Sequence, residues 1–143
     1  MCLIVSTKKF VAETDLVVYK CLDKKGGKFC TPFYYLPVRF HNGMCIINSG
    51  LGELFIGQEY STCAQKIVDV IREGVHAYTK KEAADYTSIQ FPDSGTETHY
   101  AIIPKGCPYY IGINSDVVST KMIVFHDKKA YDNYANEHDV KKI

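Results

Sequence analysis

The chain contains no tryptophan, and only two of its 17 basic residues are arginine, Arg39 and Arg72. It also lacks a continuous stripe of basic residues interleaved with aromatics, the usual mark of a nucleic-acid surface. With 16 acidic residues the net charge is +1, so we see no strong signal for a nucleic-acid partner. Because arginine binds phosphate and carboxylate through a planar fork, both arginines are candidates for contacting an anionic ligand. The alternative for each is an ordinary ion pair.

Long apolar segments and metal-binding motifs are also missing. No apolar run approaches the roughly 20 residues that a membrane-spanning helix needs, so no membrane partner is predicted. The six cysteines form no Cys-x-x-Cys pair, and the five histidines form no His-x-x-x-His pattern. We therefore predict no metal site and no cofactor. Residues 1–9 do not resemble a secretory signal, and we expect a cytoplasmic protein with free, mostly buried thiols.

The strand-like segments of the sequence predict an α+β fold. At 143 residues and 46% hydrophobic, the chain is expected to form one domain over residues 1–143. Alternating or β-branched segments predict a largely antiparallel sheet of about six to eight strands, with two or three short helices. The candidate strands cover residues 2–6, 15–22, 29–40, 44–47, 53–56, 98–104, 109–112 and 119–125. A polar loop is expected at 90–97, as the most mobile segment of the chain.

Two local signals predict where elements turn or begin. Asn42 followed by Gly43 is a tight-turn dipeptide and predicts a hairpin over residues 34–48. Asp127 stands before a stretch with helical periodicity and is expected to cap a terminal helix.

Two structures are possible for residues 61–73. The β-branched residues over 67–78 favour a buried strand that delivers His76 and Tyr78 to a short helix at 79–86. Thr79 and Glu82 have the spacing of a capping box for that helix. The alternative is a helix that Ser61 caps and that ends before Gly74. We favour the strand.

The segment 73–79, EGVHAYT, is the most specific local pattern. It resembles a segment of small uncharacterised proteins of phages and their bacterial hosts, in which a strand like VVYKCL precedes a Gly-apolar-His-aromatic strand and a later Ile-Pro-Lys-Gly segment. The order of the three pieces also resembles ADP-ribosyltransferases, whose cleft binds NAD. On that resemblance Tyr19, His76, Tyr78 and Thr79 line a cleft. The late-strand glutamate of that family is missing, and Asp116 is a shorter, offset substitute.

These observations predict a binding protein without catalytic residues. We expect an accessory protein of a phage or mobile element that binds a nucleotide-like small molecule, with its oligomeric state open. The alternatives are an ADP-ribosyl transferase or hydrolase that uses His76, Tyr78 and Asp116, and a protein-interaction (inhibitory or virion) module that uses the aromatics at 33–35. Tyrosines adjoining turns or prolines are favoured because they can stack on planar ligands. The predicted ligand-binding residues are Tyr19, Arg39, Arg72, His76, Tyr78, Thr79, Tyr109 and Tyr110.

Overall fold

The computed structural model describes residues 3–31, 36–90 and 95–143. Within these residues the chain forms fourteen strands and two helices. The strands are, in chain order, β1 Leu3–Ile4, β2 Phe10–Val11, β3 Asp15–Lys25, β4 Lys28–Cys30, β5 Pro37–Val38, β6 Met44–Asn48, β7 Gly57–Ser61, β8 Lys66–Ile71, β9 Val75–Tyr78, β10 Thr96–Ile103, β11 Pro108–Ile111, β12 Asp116–Ser119, β13 Lys121–Phe125 and β14 Val140–Lys142. The helices are α1 Lys81–Gln90 and α2 Lys128–Glu137.

The strands form an 11-stranded sheet and a 3-stranded sheet. The large sheet follows the order β2-β11-β12-β9-β3-β10-β13-β6, with β4, β5 and β14 attached beside this path. The small sheet has the order β1-β8-β7. Among the described strands, every pairing is antiparallel except that of β14 with β3.

The predicted α+β class is wrong, because the fold is mostly β, with 51% strand and 14% helix. The count of six to eight strands is also too low. Two of the strands that were not predicted, β2 and β14, are only two or three residues long. Such segments are held by their neighbours in the sheet rather than by an alternating pattern of their own, so periodicity does not reveal them. The predicted strand at 53–56 is not formed, and β7 begins directly after it.

Strand β3 lies at the centre of the large sheet and is covered on both faces. Leu16, Val17 and Val18 are consecutive and all buried, so neither face of this strand is exposed to solvent here. Val18 and Leu22 belong to the larger core cluster on one face. On the other face the Cys21 thiol lies 3.4 Å from the Ala84 carbonyl oxygen, so α1 covers that side.

The core consists of two clusters. The larger packs against one face of the large sheet and includes side chains of β3, β9, β10, β12 and β13. The smaller joins the two sheets through Leu3, Leu54, Ile71, Tyr110 and Val118.

Residues 61–73 contain a strand and no helix, as predicted, but the extended stretch is broken. β8 ends at Ile71 in the small sheet and β9 begins at Val75 in the large sheet. Gly74, at the break, has a φ of +128°. It also lies so close to the second core cluster that a Cβ there would be 2.6 Å from Val118 Cγ2. The chain therefore changes sheets at a position that only glycine fits.

The helix after this stretch exists, but the predicted capping box does not. α1 begins at Lys81 rather than at Thr79. The Thr79 hydroxyl donates to the Ser115 carbonyl at 3.1 Å, and the Thr79 backbone N–H donates to the same oxygen at 2.7 Å. Thr79 thus ties the end of β9 to the turn before β12.

The predicted tight turn at Asn42 and Gly43 and the predicted helix cap at Asp127 are both confirmed. Asn42 and Gly43 have positive φ values of 54° and 79°, and His41 and Met44 exchange backbone hydrogen bonds around them. The hairpin itself is wrong upstream, because β5 pairs with β4 and not with β6; residues 32–35 lie outside the described chain. The Asp127 carboxylate accepts from the Ala130 N–H at 2.9 Å and caps α2 as predicted.

Three further expectations concern thiols, the 90–97 loop and membranes. Of the described cysteines, Cys21 and Cys107 are buried, two are half-buried and Cys63 is exposed, so burial is less general than predicted; none forms a disulfide.

The predicted loop at 90–97 is shorter, because α1 extends to Gln90 and β10 begins at Thr96, and residues 91–94 are outside the described part. Neither described helix has the length and apolar character to cross a membrane.

Candidate functional site

A row of tyrosines crosses the centre of the large sheet on the face that carries the helices. Tyr78 of β9 pairs with Tyr19 of β3, and Tyr19 pairs with Tyr100 of β10. The Tyr19 and Tyr100 rings meet edge to face, with centroids 5.4 Å apart. Side chains directly opposite on neighbouring strands point to the same face, so register alone builds this row.

Helix α2 adds a third ring beside Tyr100. The ring of Tyr131 stacks on Tyr100 at a centroid distance of 4.8 Å and an interplanar angle of 18°. Tyr131 is placed there by the capped start of α2 and by an edge contact with Phe125 at 5.5 Å. We call Tyr19, Tyr100 and Tyr131 the tyrosine site.

All three tyrosines of the site are half-buried, so part of each ring faces solvent. Their hydroxyl groups make no hydrogen bond to the described part of the chain. Burial raises the pKa of Tyr19 and of Tyr131, and the neighbouring phenols raise both further. The hydroxyls of Tyr19 and Tyr131 are therefore neutral at neutral pH. All three hydroxyls are grouped in one place and free to bond a ligand.

The first residue of each helix supplies a lysine at the tyrosine site. Tyr100 is close enough to interact electrostatically with both Lys81 of α1 and Lys128 of α2. Each lysine pairs with a carboxylate one turn along its helix, Lys81 with Asp85 at 2.8 Å and Lys128 with Asp132 at 2.9 Å. Exposed pairs of this kind contribute little to stability, so an anionic ligand can compete for either lysine.

Tyr78 and Thr79, two predicted site residues, lie beside the tyrosine site and are engaged in the fold. The Tyr78 hydroxyl accepts from the Thr87 hydroxyl of α1 at 3.0 Å. Burial raises the Tyr78 pKa, so this phenol also stays neutral. Asp116, opposite Tyr78 on β12, accepts from the Asn114 N–H at 3.3 Å and closes its own turn.

His76 lies farther along β9 and is buried. Its Nε2 is 3.3 Å from the Arg72 carbonyl oxygen, which only accepts, so Nε2 carries the hydrogen. Its Nδ1 has no hydrogen-bond partner among the described residues. Burial lowers the pKa of His76 to about 4, so the ring is neutral at physiological pH. A neutral, enclosed ring is a core residue rather than an anion-binding group.

Arg72 lines a cavity of about 330 Å³ on the small sheet, away from the tyrosine site. Its guanidinium pairs with the Glu59 carboxylate. Glu73 lines the same cavity, so two carboxylates oppose one guanidinium there. This charge balance argues against Arg72 as a clamp for an anion.

The remaining predicted residues are scattered. Arg39 is exposed at the end of β5. Tyr109 stacks on Phe10 at 5.4 Å and packs against the larger core cluster. Tyr110 is buried in the second core cluster. Of the eight predicted residues, Tyr19 falls at the tyrosine site, with Tyr78 and Thr79 beside it.

Four residues in or beside the tyrosine site were missed from the sequence: Tyr100, Tyr131, Lys81 and Lys128. Periodicity places Tyr131 on the inner face of the terminal helix and Tyr100 in a strand, but nothing in their spacing links them to Tyr19. The cross-strand register of β3 and β10 makes that link.

No group of three or more metal-ligating side chains lies close together in the described part of the chain. No protein-family model matches this chain, no curated protein matches it, and no solved structure matches its fold.

Proposed function

We propose that this chain is a non-enzymatic binding protein that takes a planar, nucleotide-like small molecule at the tyrosine site. The observation that carries the proposal is the convergence of Tyr19, Tyr100 and Tyr131 between the starts of two helices. The three side chains are half-buried, and their hydroxyls bond no described residue. Stacking on an aromatic side chain contributes about 1–3 kcal/mol per base.

The flanking charges suit a ligand that is anionic at one end. Lys81 and Lys128 each stand at the first position of a helix, where the helix dipole favours negative charge. A phosphate there would replace the Asp85 or Asp132 carboxylate as the partner of a lysine. The base would then stack on the exposed side of a tyrosine ring.

The broader role rests on resemblance alone. The EGVHAYT segment and the pieces around it resemble phage and bacterial proteins of unknown function, and we propose an accessory role of that kind. The cytoplasm is the compartment that we propose with it.

A thermal-shift panel tests the binding proposal. NAD, ADP-ribose, ADP and cyclic AMP are added in turn to the purified protein, and the Kd of any stabilising compound is then measured by calorimetry. Ligand at 100 times its Kd stabilises the folded state by about 2.7 kcal/mol. We expect at least one compound to raise the Tm, without release of nicotinamide from NAD.

Matched variants locate the site. Tyr131→Leu removes the stacked ring and is expected to weaken binding about tenfold or more. Tyr109→Leu, which removes a tyrosine on the opposite face, is its control. Lys128→Gln should weaken binding in a salt-dependent way, whereas Lys129→Gln at the next position should not. Equal effects of the two tyrosine variants would contradict the location.

The panel also separates the alternatives. Nicotinamide release that depends on Asp116 would favour the transferase-like enzyme over the binding protein. No response to any compound would remove the proposed function and favour an interaction module. The aromatics at 33–35, on which that alternative was based, lie outside the described residues.

A further inference from the structure

The small sheet ends in a strand whose outer edge is open. β7 pairs with β8, and it pairs with no other strand of the described chain. On the far side of β8, the Val5 N–H donates to the Asp69 carbonyl oxygen at 2.9 Å, so the backbone of Asp69 faces β1. Antiparallel strands bond through alternate residues. Val68, the neighbour of Asp69, therefore faces β7 and bonds to Glu59 opposite it.

The residues on either side of Glu59 have backbone groups without a partner strand. The N–H and C=O groups of Gln58 and Tyr60 point away from β8, because successive residues of a strand bond in opposite directions. A row of this kind is a template for one more strand. Natural edges are often blocked by proline or lysine, and β7 contains neither. The edge is therefore suited to pairing with an extended peptide.

The two faces of β7 offer different surroundings to an added strand. On one face Tyr60 lies opposite Ile67, and the two side chains are 64% and 66% exposed. On the other face Glu59 lines the cavity of about 330 Å³, together with Phe55 and Arg72. Successive side chains of a strand point to opposite faces. An added strand therefore meets the apolar surface at every second residue and the cavity at the residue between.

The cavity carries an excess of negative charge. Glu59 and Glu73 line it with Arg72, and the Arg72 guanidinium pairs with Glu59. Glu73 is exposed and forms no ion pair with a described residue. A cationic side chain inserted there gives both carboxylates a partner. β7 itself contains no basic residue, so a second copy of this strand supplies no such cation.

We propose that the open edge of β7 binds an extended segment of a protein partner, which joins the small sheet as an additional strand. The segment carries a lysine or arginine between two apolar residues. Its basic side chain lies opposite Glu59 and enters the cavity. Its apolar side chains lie opposite Gln58 and Tyr60, on the face that carries Ile67. Main-chain hydrogen bonds give affinity, and the cavity selects the basic residue.

This surface lies on the small sheet, whereas the tyrosine site lies on the large one, so the proposal does not rest on the proposed function. Selection from a displayed library of short random peptides tests it. The purified wild-type protein is the bait, and we expect enriched sequences in which a lysine or arginine stands between two apolar residues. One enriched peptide is then synthesised with a fluorescent label, and its Kd is measured by anisotropy.

Matched variants locate the labelled peptide. Gln58→Pro removes an outward N–H and keeps the bonds of Glu59 to β8. This variant should weaken binding about fivefold or more, whereas Gln58→Ser, which keeps the N–H, should not. Glu73→Gln should weaken binding about threefold or more at low salt. Its control is Glu13→Gln, which removes an exposed carboxylate between β2 and β3. A peptide with norleucine in place of its basic residue should bind both Glu73 forms equally.

Amide hydrogen exchange on the wild-type protein gives a second measurement that needs no variant. Saturating peptide should slow exchange at Gln58 and Tyr60 about tenfold or more. If circular dichroism shows that Gln58→Pro does not fold, this measurement decides alone.

Three results would each overturn the proposal: no enrichment of the basic, apolar-flanked pattern, binding that Gln58→Pro leaves unchanged, or unprotected amides at Gln58 and Tyr60. A dimer of the protein alone that Gln58→Pro dissociates would make a second copy the occupant of the edge, and would also overturn it.

Discussion

Replacing Gly74 by alanine should strongly destabilise the protein, because Gly74 is where the chain leaves the small sheet for the large one. Its φ of +128° is strained for any residue with a side chain, at a cost of about 1–3 kcal/mol. The new Cβ would also lie 2.6 Å from Val118 Cγ2, 3.0 Å from Leu54 Cδ2 and 3.2 Å from the Ser119 carbonyl oxygen. Overpacking of this kind costs a further 1–3 kcal/mol or so.

The expected loss for Gly74→Ala is therefore about 2–6 kcal/mol, or roughly 6–24 °C in Tm for a domain of this length. Urea unfolding followed by circular dichroism measures it. Substitutions at two other glycines separate the effect of backbone strain from that of overpacking. Gly106 has a φ of +89°, and a Cβ added there would have no atom within 4 Å, so Gly106→Ala reports strain alone. Gly52 has neither strain nor a neighbour, and Gly52→Ala should be nearly neutral. If Gly74→Ala unfolds like Gly52→Ala, the change of sheet does not occur at residues 72–74.

Three further predictions concern His76, the thiols and Thr79. The pKa of His76 is about 4 in the folded protein and about 6.5 unfolded, so its contribution of about 3 kcal/mol is present above pH 6.5 and is lost as the pH falls towards 4. His76→Gln should flatten that loss in urea unfolding curves measured between pH 7 and 4. Ellman's reagent should modify exposed Cys63 rapidly and buried Cys21 only on unfolding; equal rates would contradict the burial. Thr79→Ala should cost about 1 kcal/mol through the lost bond to Ser115, and an unchanged melting curve would contradict it.

Local chemistry predicted the features that a few neighbouring residues determine. Asn42 and Gly43 take positive φ values that few other residues tolerate, and Asp127 accepts the hydrogen bond that its position before α2 predicts. These signals need no knowledge of the rest of the fold, which is why the sequence sufficed.

The predictions that were wrong concern features that depend on contacts between residues far apart in the sequence. Thr79 and Glu82 fit a capping box, but the Ser115 carbonyl, 36 residues away, binds the Thr79 hydroxyl instead. The β-branched residues on both sides of Gly74 predict a single strand, since the pattern carries no information about a change of sheet.

The candidate site could also be predicted only in part, because its residues lie far apart in the sequence. Tyr19 was predicted, but its partners Tyr100 and Tyr131 are joined to it only by strand register and by the docking of α2. Arg72 was predicted because arginines are scarce. The sequence could not show that Glu59, on the neighbouring strand, neutralises it.

The most direct test of the tyrosine site is a titration of the 3-fluorotyrosine-labelled protein with ADP-ribose, followed by fluorine NMR. Each of the eleven tyrosines contributes one resonance, and Tyr→Phe variants assign those of Tyr19, Tyr100, Tyr131 and Tyr109. Our account predicts saturable shifts for Tyr19, Tyr100 and Tyr131 and an unchanged resonance for Tyr109 on the opposite face. Unchanged resonances for all three site tyrosines, with shifts at Tyr109 or at none, would contradict it.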